Sequence, residues 1–145
     1  MGLRRASLVA VAVLVAAVLL LLFRHSLFGR NLGGVAAQVL AGLLMVWARM
    51  TFRGRSFHAA ADPTEGGLVT TGPYRFLRHP IYAAILLFVV AGVLAHPSPT
   101  NALIGIAAVA ATAMRIFAEE RLLVQKYPEY AVYAARVKRV IPFVF

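Results

Sequence analysis

Two groups of residues have the types and spacing needed to bind a charged small molecule. The first is the stretch "TTGPYRFLRHPIY" at residues 70–82, where two arginines, a histidine and two tyrosines precede an apolar run. The second is the acidic pair Glu119 and Glu120, which follows another apolar run and comes shortly after Arg115. Arginine side chains bind carboxylates and phosphates, whereas a carboxylate binds a cationic or hydroxylated group. Both groups are therefore candidate ligand sites.

The first stretch predicts an anion site at the start of a helix. Gly72-Pro73 is a turn signal, and Pro80 has the backbone angle required at the first position of a helix. Arg78 and His79 therefore precede a helix N-terminus, whose free N–H groups favour an anion such as a carboxylate or a phosphate. Tyr82 lies inside this helix, where it could pack on a ring or donate its hydroxyl.

Each of these residues also has an ordinary structural explanation. Arg75 and Arg78 are typical of the positive residues that flank membrane segments, and Tyr74 and Tyr82 are typical of aromatic residues at the membrane interface. The acidic pair is equally consistent with a solvated helix end. The combination of both groups favours a ligand site over these separate explanations.

Four apolar runs supply the elements that must position these residues. Apolar residues make up 61% of the 145-residue chain, and its mean hydropathy is +0.81, far above that of a soluble domain. A spanning helix needs about 20 residues, and the first, second and fourth runs come close to that length. The third run is shorter, although Pro80 and His96 could lengthen it. We expect an all-α integral membrane protein of one domain, residues 1–145. Its predicted parts are about four transmembrane helices at 6–23, 32–48, 80–96 and 101–118, a cytoplasmic loop at 49–79, and interfacial helices in the tail at 119–145.

The basic residues predict the orientation of these helices. With the N-terminus inside, the inner segments hold thirteen of the 15 Lys and Arg residues, and the outer segments hold only Arg24 and Arg30. By the positive-inside rule both termini are cytoplasmic, and the two candidate groups share the cytoplasmic face. We expect a bacterial inner (plasma) membrane location. Because the asymmetry accounts for the net charge of +10, no nucleic-acid partner is expected.

Several other kinds of site are excluded or disfavoured. The chain has no cysteine, which excludes disulfides, thiolate metal sites and a cysteine nucleophile. Its four histidines lack metal-ligand spacing, so no metal site is predicted. There is no glycine-rich phosphate loop and no dinucleotide fingerprint. Gln38 and Asn101 are interpreted as a helix–helix contact and a helix cap. The first run is interpreted as a retained helix and not as a cleaved signal peptide, because it is long and no small-x-small cleavage site follows it.

The ordered motifs in the second half of the chain resemble the isoprenylcysteine carboxyl methyltransferase and phospholipid methyltransferase superfamily of integral membrane enzymes. The shared features are the Gly-Pro-Tyr turn, Arg-His-Pro-x-Tyr, the Glu-Glu pair, the Tyr-x-x-Tyr tail and a final Ile-Pro. They lie in "LVTTGPYRFLRHPIYAAILL" and "RIFAEERLLVQKYPEYAVYAARVKRVIPFVF", roughly half of the chain. The first two helices carry none of these features and are interpreted as generic membrane anchors.

The resemblance implies S-adenosyl-L-methionine as the methyl donor, bound in a cytoplasm-facing pocket between the last two helices and the tail. Arg78 and the third helix's N-terminus would hold its carboxylate, and Glu119 or Glu120 would hold its ammonium or ribose. Aromatic or apolar side chains would cover the adenine. The predicted cofactor-binding residues are Tyr74, Arg78, His79, Pro80, Tyr82, Glu119, Glu120, Leu123 and Tyr130, and Arg75 and Arg136 are assigned to orienting the acceptor.

The predicted acceptor is lipophilic, either an isoprenylcysteine-type carboxylate on a prenylated molecule or a lipid headgroup, and it would enter from the bilayer between helices. Two other functions stay open. Membrane sterol reductases use NADPH and have a similar Arg-His-Pro stretch and tyrosine-rich tail, although they are much longer. The chain could also be a non-catalytic membrane protein that keeps the pocket as a relic. The sequence decides neither the acceptor, nor the oligomeric state, nor which glutamate binds the cofactor.

Overall fold

The computed structural model describes residues 2–52 and 67–141, and this part of the chain is all-helical. Residues 53–66 of the predicted loop and residues 142–145 of the predicted tail lie outside the described residues. The elements are α1 (Gly2–Phe23), α2 (Leu32–Phe52), a 3₁₀ turn (Gly72–Arg75), α3 (Pro80–Ala95), α4 (Pro99–Lys126) and α5 (Tyr130–Arg136).

Local sequence signals explain where the later helices begin and end. Pro80 occupies the first position of α3, as its fixed backbone angle favours. Ser98 caps α4, because its Oγ accepts a hydrogen bond from the backbone N–H of Asn101 at 3.1 Å. The helix α4 ends at Lys126, because Tyr127 precedes a proline and adopts extended backbone. It therefore runs on through Glu119 and Glu120, which the sequence assigned to the tail.

Among the described residues, three helices are long and apolar enough to cross a membrane, namely α1, α2 and α4. This agrees with the prediction of an integral membrane protein. The helix α3 is apolar but has only 16 residues. At a rise of about 1.5 Å per residue it spans about 24 Å, less than the hydrocarbon core of about 30 Å. The expected four spans thus appear as three helices of sufficient length and one shorter apolar helix.

The helices pack as antiparallel neighbours, with α1 against α4, α2 against α3, and α3 against α4. Alanines fill much of the buried seam between α1 and α4 and let these helices approach closely. The start of α1, the end of α2, the start of α3 and the end of α4 meet at one end of the bundle, which we call the site end. One hydrogen bond, from Arg115 in α4 to Ser7 in α1, joins the end of α4 to the start of α1. Both candidate groups lie there.

A buried glutamine holds the opposite end of the bundle together. Gln38 of α2 accepts a hydrogen bond from the Gly29 backbone N–H at 2.9 Å. Its amide nitrogen donates to the backbone oxygens of Leu27 and Phe88, at 2.7 and 3.1 Å. These bonds join α2, α3 and the α1–α2 connection. The interpretation of Gln38 as a helix–helix contact is confirmed.

Replacing Gln38 with leucine should lower the free energy of unfolding by about 1–3 kcal/mol. Side-chain hydrogen bonds in membrane proteins are worth about 0.6 kcal/mol on average and up to about 1.7 kcal/mol, and this residue makes three. Reversible unfolding in mixed detergent micelles measures the change. The neighbouring exposed Val39 provides a control, since Val39→Leu should leave stability within about 0.5 kcal/mol. Equal stability of both variants would contradict the role of Gln38.

Candidate functional site

The C-terminal tail is joined to the segment before α3 by backbone hydrogen bonds. The backbone N–H of Arg78 donates to the Lys138 carbonyl at 2.7 Å, and that of His79 donates to the Arg139 carbonyl at 2.9 Å. Leu77 and Lys138 form a parallel bridge. This short pairing fixes the backbone of Arg78 and His79 and brings Arg139 beside them.

Four side chains converge at the site end to form a charged cluster around Glu120. One carboxylate oxygen of Glu120 accepts from Arg78 Nη1 at 2.8 Å and contacts His79 Nε2 at 3.1 Å. The other oxygen accepts from Arg139 Nε at 3.0 Å. Glu120 and His79 are buried, at 8% and 4% exposure. We call Arg78, His79, Glu120 and Arg139 the Glu120 cluster. It joins the start of α3, the end of α4 and the tail through one carboxylate.

A second group of side chains runs beside this cluster and links three helices. Tyr82 of α3 donates its hydroxyl to Glu119 Oε2 at 2.8 Å and accepts a hydrogen bond from Arg115 Nε. Arg115 Nη1 donates to Ser7 Oγ of α1 at 3.0 Å. We call Ser7, Tyr82, Arg115 and Glu119 the Tyr82 relay. The rings of Tyr82 and His79 lie 5.6 Å apart, so the relay and the cluster are in contact.

Tyrosines of α5 close the tail over the Glu120 cluster. Tyr130 is only 2% exposed, and its hydroxyl is close enough for its pKa to respond to Glu120 and Arg78. Tyr133 donates its hydroxyl to the backbone oxygen of Tyr74 in the 3₁₀ turn. Burial raises the pKa of Tyr130 and Tyr133 well above the usual value, so both hydroxyls stay protonated and are able to donate a hydrogen bond.

The 3₁₀ turn at the site end depends on its glycine. Gly72 has φ +56°, a conformation that favours glycine. A Cβ atom there would meet the Thr51 side chain at the end of α2. The ring of Phe52 lies 5.4 Å from that of Tyr74, so the turn packs directly on α2. The Gly-Pro turn signal therefore marks a close approach between two elements.

Most predicted site residues lie in or beside the Glu120 cluster and the Tyr82 relay, and two do not. The Glu120 cluster holds Arg78, His79 and Glu120, and the Tyr82 relay holds Tyr82 and Glu119. Pro80 is buried at the start of α3, and Leu123 is half-buried on α4 one turn beyond Glu120. Arg75 and Arg136 are exposed and make no hydrogen bond or ion pair to either group in the part of the chain described.

The structure adds four residues to the site that the sequence did not assign to it, namely Ser7, Arg115, Tyr133 and Arg139. Arg115 and Glu119 lie four residues apart on α4, and the Tyr82 hydroxyl bridges them. The first helix was interpreted as a generic anchor, and in the structure α1 also supplies Ser7 to the relay. A serine within the apolar run that follows Arg5 was the available signal.

Comparison with known proteins identifies a family over most of the chain. A family model described as "Phospholipid methyltransferase" matches residues 30–130. The match covers α2, the 3₁₀ turn, α3, α4 and the first residue of α5, and so includes both groups of site residues except for Ser7 and Arg139. No solved structure matches the chain significantly.

Two curated relatives are similar over the same share of this chain. The cobalt-zinc-cadmium resistance protein CzcN of Cupriavidus metallidurans is 31% identical over 110 residues, which are 75% of this chain and 47% of the relative. The nickel-cobalt-cadmium resistance protein NccN of Alcaligenes xylosoxydans xylosoxydans is 29% identical over 110 residues, 75% of this chain and 48% of the relative. The chain therefore spans about half the length of these relatives.

Proposed function

The chain belongs to the phospholipid methyltransferase family, and we propose that it transfers a methyl group from S-adenosyl-L-methionine to a lipophilic acceptor at the cytoplasmic membrane face. Membership indicates a membrane methyltransferase in general. The donor, the acceptor class and the orientation are our proposal. The observation that supports it most is the Glu120 cluster, because it gathers arginines, a histidine and an acid at a helix N-terminus beside the apolar helices.

The residues present suit the chemical groups of this donor. Arg78 Nε and Tyr130 Oη are buried, the two side chains lie within reach of each other, and neither atom has a further partner of good geometry among the described residues. Both are donors, and a carboxylate can accept from an N–H and an O–H together. The first N–H groups of α3 point toward the same end and also favour an anion. A ligand carboxylate would satisfy these donors.

The two glutamates have different capacities for a ligand ammonium or ribose. Both oxygens of Glu120 already accept from cationic side chains, so it serves to hold Arg78, His79 and Arg139 in place. Glu119 is only half-buried and accepts from Tyr82 through one oxygen. We therefore assign the ammonium or ribose to Glu119. Tyr82, Leu123 and Tyr130 offer the ring and apolar surfaces for adenine.

When bound, S-adenosylmethionine supplies an electrophilic methyl group. The protein's contribution is to bind and orient its reactants and to exclude water, which is what an in-line displacement requires. The tail and α5 pack over the Glu120 cluster, and this packing limits the access of water to it. Arg75 and Arg136 are exposed at the site end, where they could attract an acidic acceptor or a lipid headgroup.

The names of CzcN and NccN refer to metal resistance. In residues 2–52 and 67–141 no group of three or more His, Cys, Asp and Glu side chains could hold a metal ion. The proposal for this chain therefore relies on the family and on the Glu120 cluster, and it assigns no metal site.

Calorimetry with the detergent-purified protein tests the proposed function. S-adenosylmethionine and S-adenosylhomocysteine should both bind in the micromolar range, and NADPH should not. Circular dichroism before each titration shows that the protein is folded. Binding of NADPH alone would replace the proposal with a reductase, and a folded protein that binds none of the three would favour a non-catalytic membrane protein.

A further inference from the structure

The helix α1 lies outside the segment that matches the family, yet it reaches the site. The match begins at residue 30, whereas α1 ends at Phe23. Ser7 of α1 accepts a hydrogen bond from Arg115 Nη1 at 3.0 Å. One hydrogen-bond partner of Arg115 therefore comes from a helix that the family match does not include.

Ser7 and Arg115 are both enclosed by packed helices. Ser7 is 0% exposed and Arg115 is 9% exposed. A guanidinium beside apolar helices is costly unless its N–H groups have acceptors. The Ser7 hydroxyl provides one such acceptor, and it lies on the helix that packs most closely on α4. The serine thus has a specific polar task on α1, whose other buried residues are alanines and leucines.

The contact with Ser7 determines how Arg115 meets Tyr82. The guanidinium is planar and its N–H groups point in fixed directions, so a bond at Nη1 restricts the direction of Nε. Arg115 Nε donates to the Tyr82 oxygen, and the Tyr82 proton is thereby directed to Glu119 Oε2. The order Ser7, Arg115, Tyr82, Glu119 is a continuous hydrogen-bonded chain across α1, α4 and α3.

We propose that Ser7 is a positioning residue of the cofactor site, acting through Arg115 and Tyr82 to fix the carboxylate of Glu119. This inference rests on the proposed function, since Glu119 is the group assigned to the donor's ammonium or ribose. In this account α1 is part of the binding site and does more than anchor the chain.

The first test compares Ser7→Ala with a variant of the same seam. Ser7→Ala should weaken binding of S-adenosylhomocysteine about 10-fold, the equivalent of one hydrogen bond to a charged group. Ala17→Gly removes a methyl group from the same buried face, ten residues and roughly 15 Å away. Ala17→Gly should change the affinity for S-adenosylhomocysteine less than about 2-fold, even if it destabilises the protein as much as Ser7→Ala does. Equal affinity losses in both variants would overturn the inference.

Two further serine variants separate the hydroxyl from the packing. Ser7→Thr keeps the acceptor and should bind within about 3-fold of wild type, whereas Ser7→Cys keeps the size but offers only a weak acceptor and should resemble Ser7→Ala. Ser7→Cys also covers the case in which Ser7→Ala does not fold. Wild-type affinity in a folded Ser7→Cys or Ser7→Ala protein would contradict positioning by the hydroxyl.

A double-mutant cycle gives a result that a merely structural role does not produce. In the Tyr82→Phe background the chain from Ser7 to Glu119 is already broken. Ser7→Ala should then cost less than about 2-fold in affinity, so that the two changes are not additive. The same 10-fold loss in both backgrounds would show that Ser7 acts through general packing.

The outcomes for wild type separate this inference from the proposed function. Wild-type protein that is folded but does not bind S-adenosylhomocysteine overturns the proposed function, and this inference with it. Wild-type binding together with unchanged affinity in Ser7→Ala overturns only the role of Ser7.

Discussion

Replacing Glu120 with glutamine should abolish measurable cofactor binding and also destabilise the protein. The carboxylate is the shared ion-pair partner of Arg78 and Arg139 and also contacts His79, and all four side chains lie largely within the protein. Removing one partner of a buried ion pair costs about 3–5 kcal/mol, because the remaining charges lose their compensation. The glutamine side chain would also place its NH2 group, a donor, against one of the N–H donors that the Glu120 carboxylate accepts from. We expect at least about a 100-fold loss of S-adenosylhomocysteine affinity.

An exposed acid at the same end is the matched control for this variant. Glu129→Gln removes the same charge at the start of α5, and Glu129 is exposed. It should change neither affinity nor stability by more than about 0.5 kcal/mol. Calorimetry and detergent unfolding measure both quantities. A Glu120→Gln protein that binds and unfolds like Glu129→Gln would remove the Glu120 cluster from the account.

Replacing Arg78 with alanine should reduce binding strongly while disturbing the fold less. Glu120 would keep His79 and Arg139 as partners, so the loss of stability should be about 1–3 kcal/mol. The donor's carboxylate would lose its guanidinium partner, which predicts about a 100-fold weaker affinity for S-adenosylhomocysteine. Arg78→Lys keeps the charge but not the planar pair of N–H donors, and should fall between alanine and wild type.

Arg121→Ala serves as the control for the charge that Arg78→Ala removes. Arg121 follows Glu120 on α4 but is exposed, and neither group of site residues includes it. Its replacement should leave affinity within about 2-fold of wild type. Equal effects of Arg78→Ala and Arg121→Ala would mean that net charge, and not the position of Arg78, governs binding.

The helices could be predicted because apolar runs and prolines define them directly. The starts of α2 and α3 were predicted at Leu32 and Pro80, where the structure has them. Alternation of the helices also brings the start of α3 and the end of α4 to the same end, and the contact of Arg78 with Glu120 confirms that inference. The end of α4 was placed too early, because charged residues end an apolar run without ending a helix.

The remaining parts of the site depend on contacts that no local pattern encodes. Arg139 is one of several basic residues in the tail, and only the backbone pairing of Leu77 with Lys138 selects it for the Glu120 cluster. Ser7 gains its role from the packing of α1 on α4. Both contacts join residues that are far apart in the chain. The residue types alone therefore do not indicate which residues pair, and the pairing follows only from how the helices pack.

Cross-linking of S-adenosylmethionine to the protein tests whether the cofactor binds at the site end. Ultraviolet irradiation of the purified protein with the methyl-labelled compound, followed by peptide mapping, locates the bound cofactor. We predict label in peptides from residues 67–82 or 115–139, removed by an excess of S-adenosylhomocysteine and absent in Glu120→Gln. Label confined to residues 24–31 or 96–101 at the opposite end, or label that S-adenosylhomocysteine does not reduce, would contradict the account.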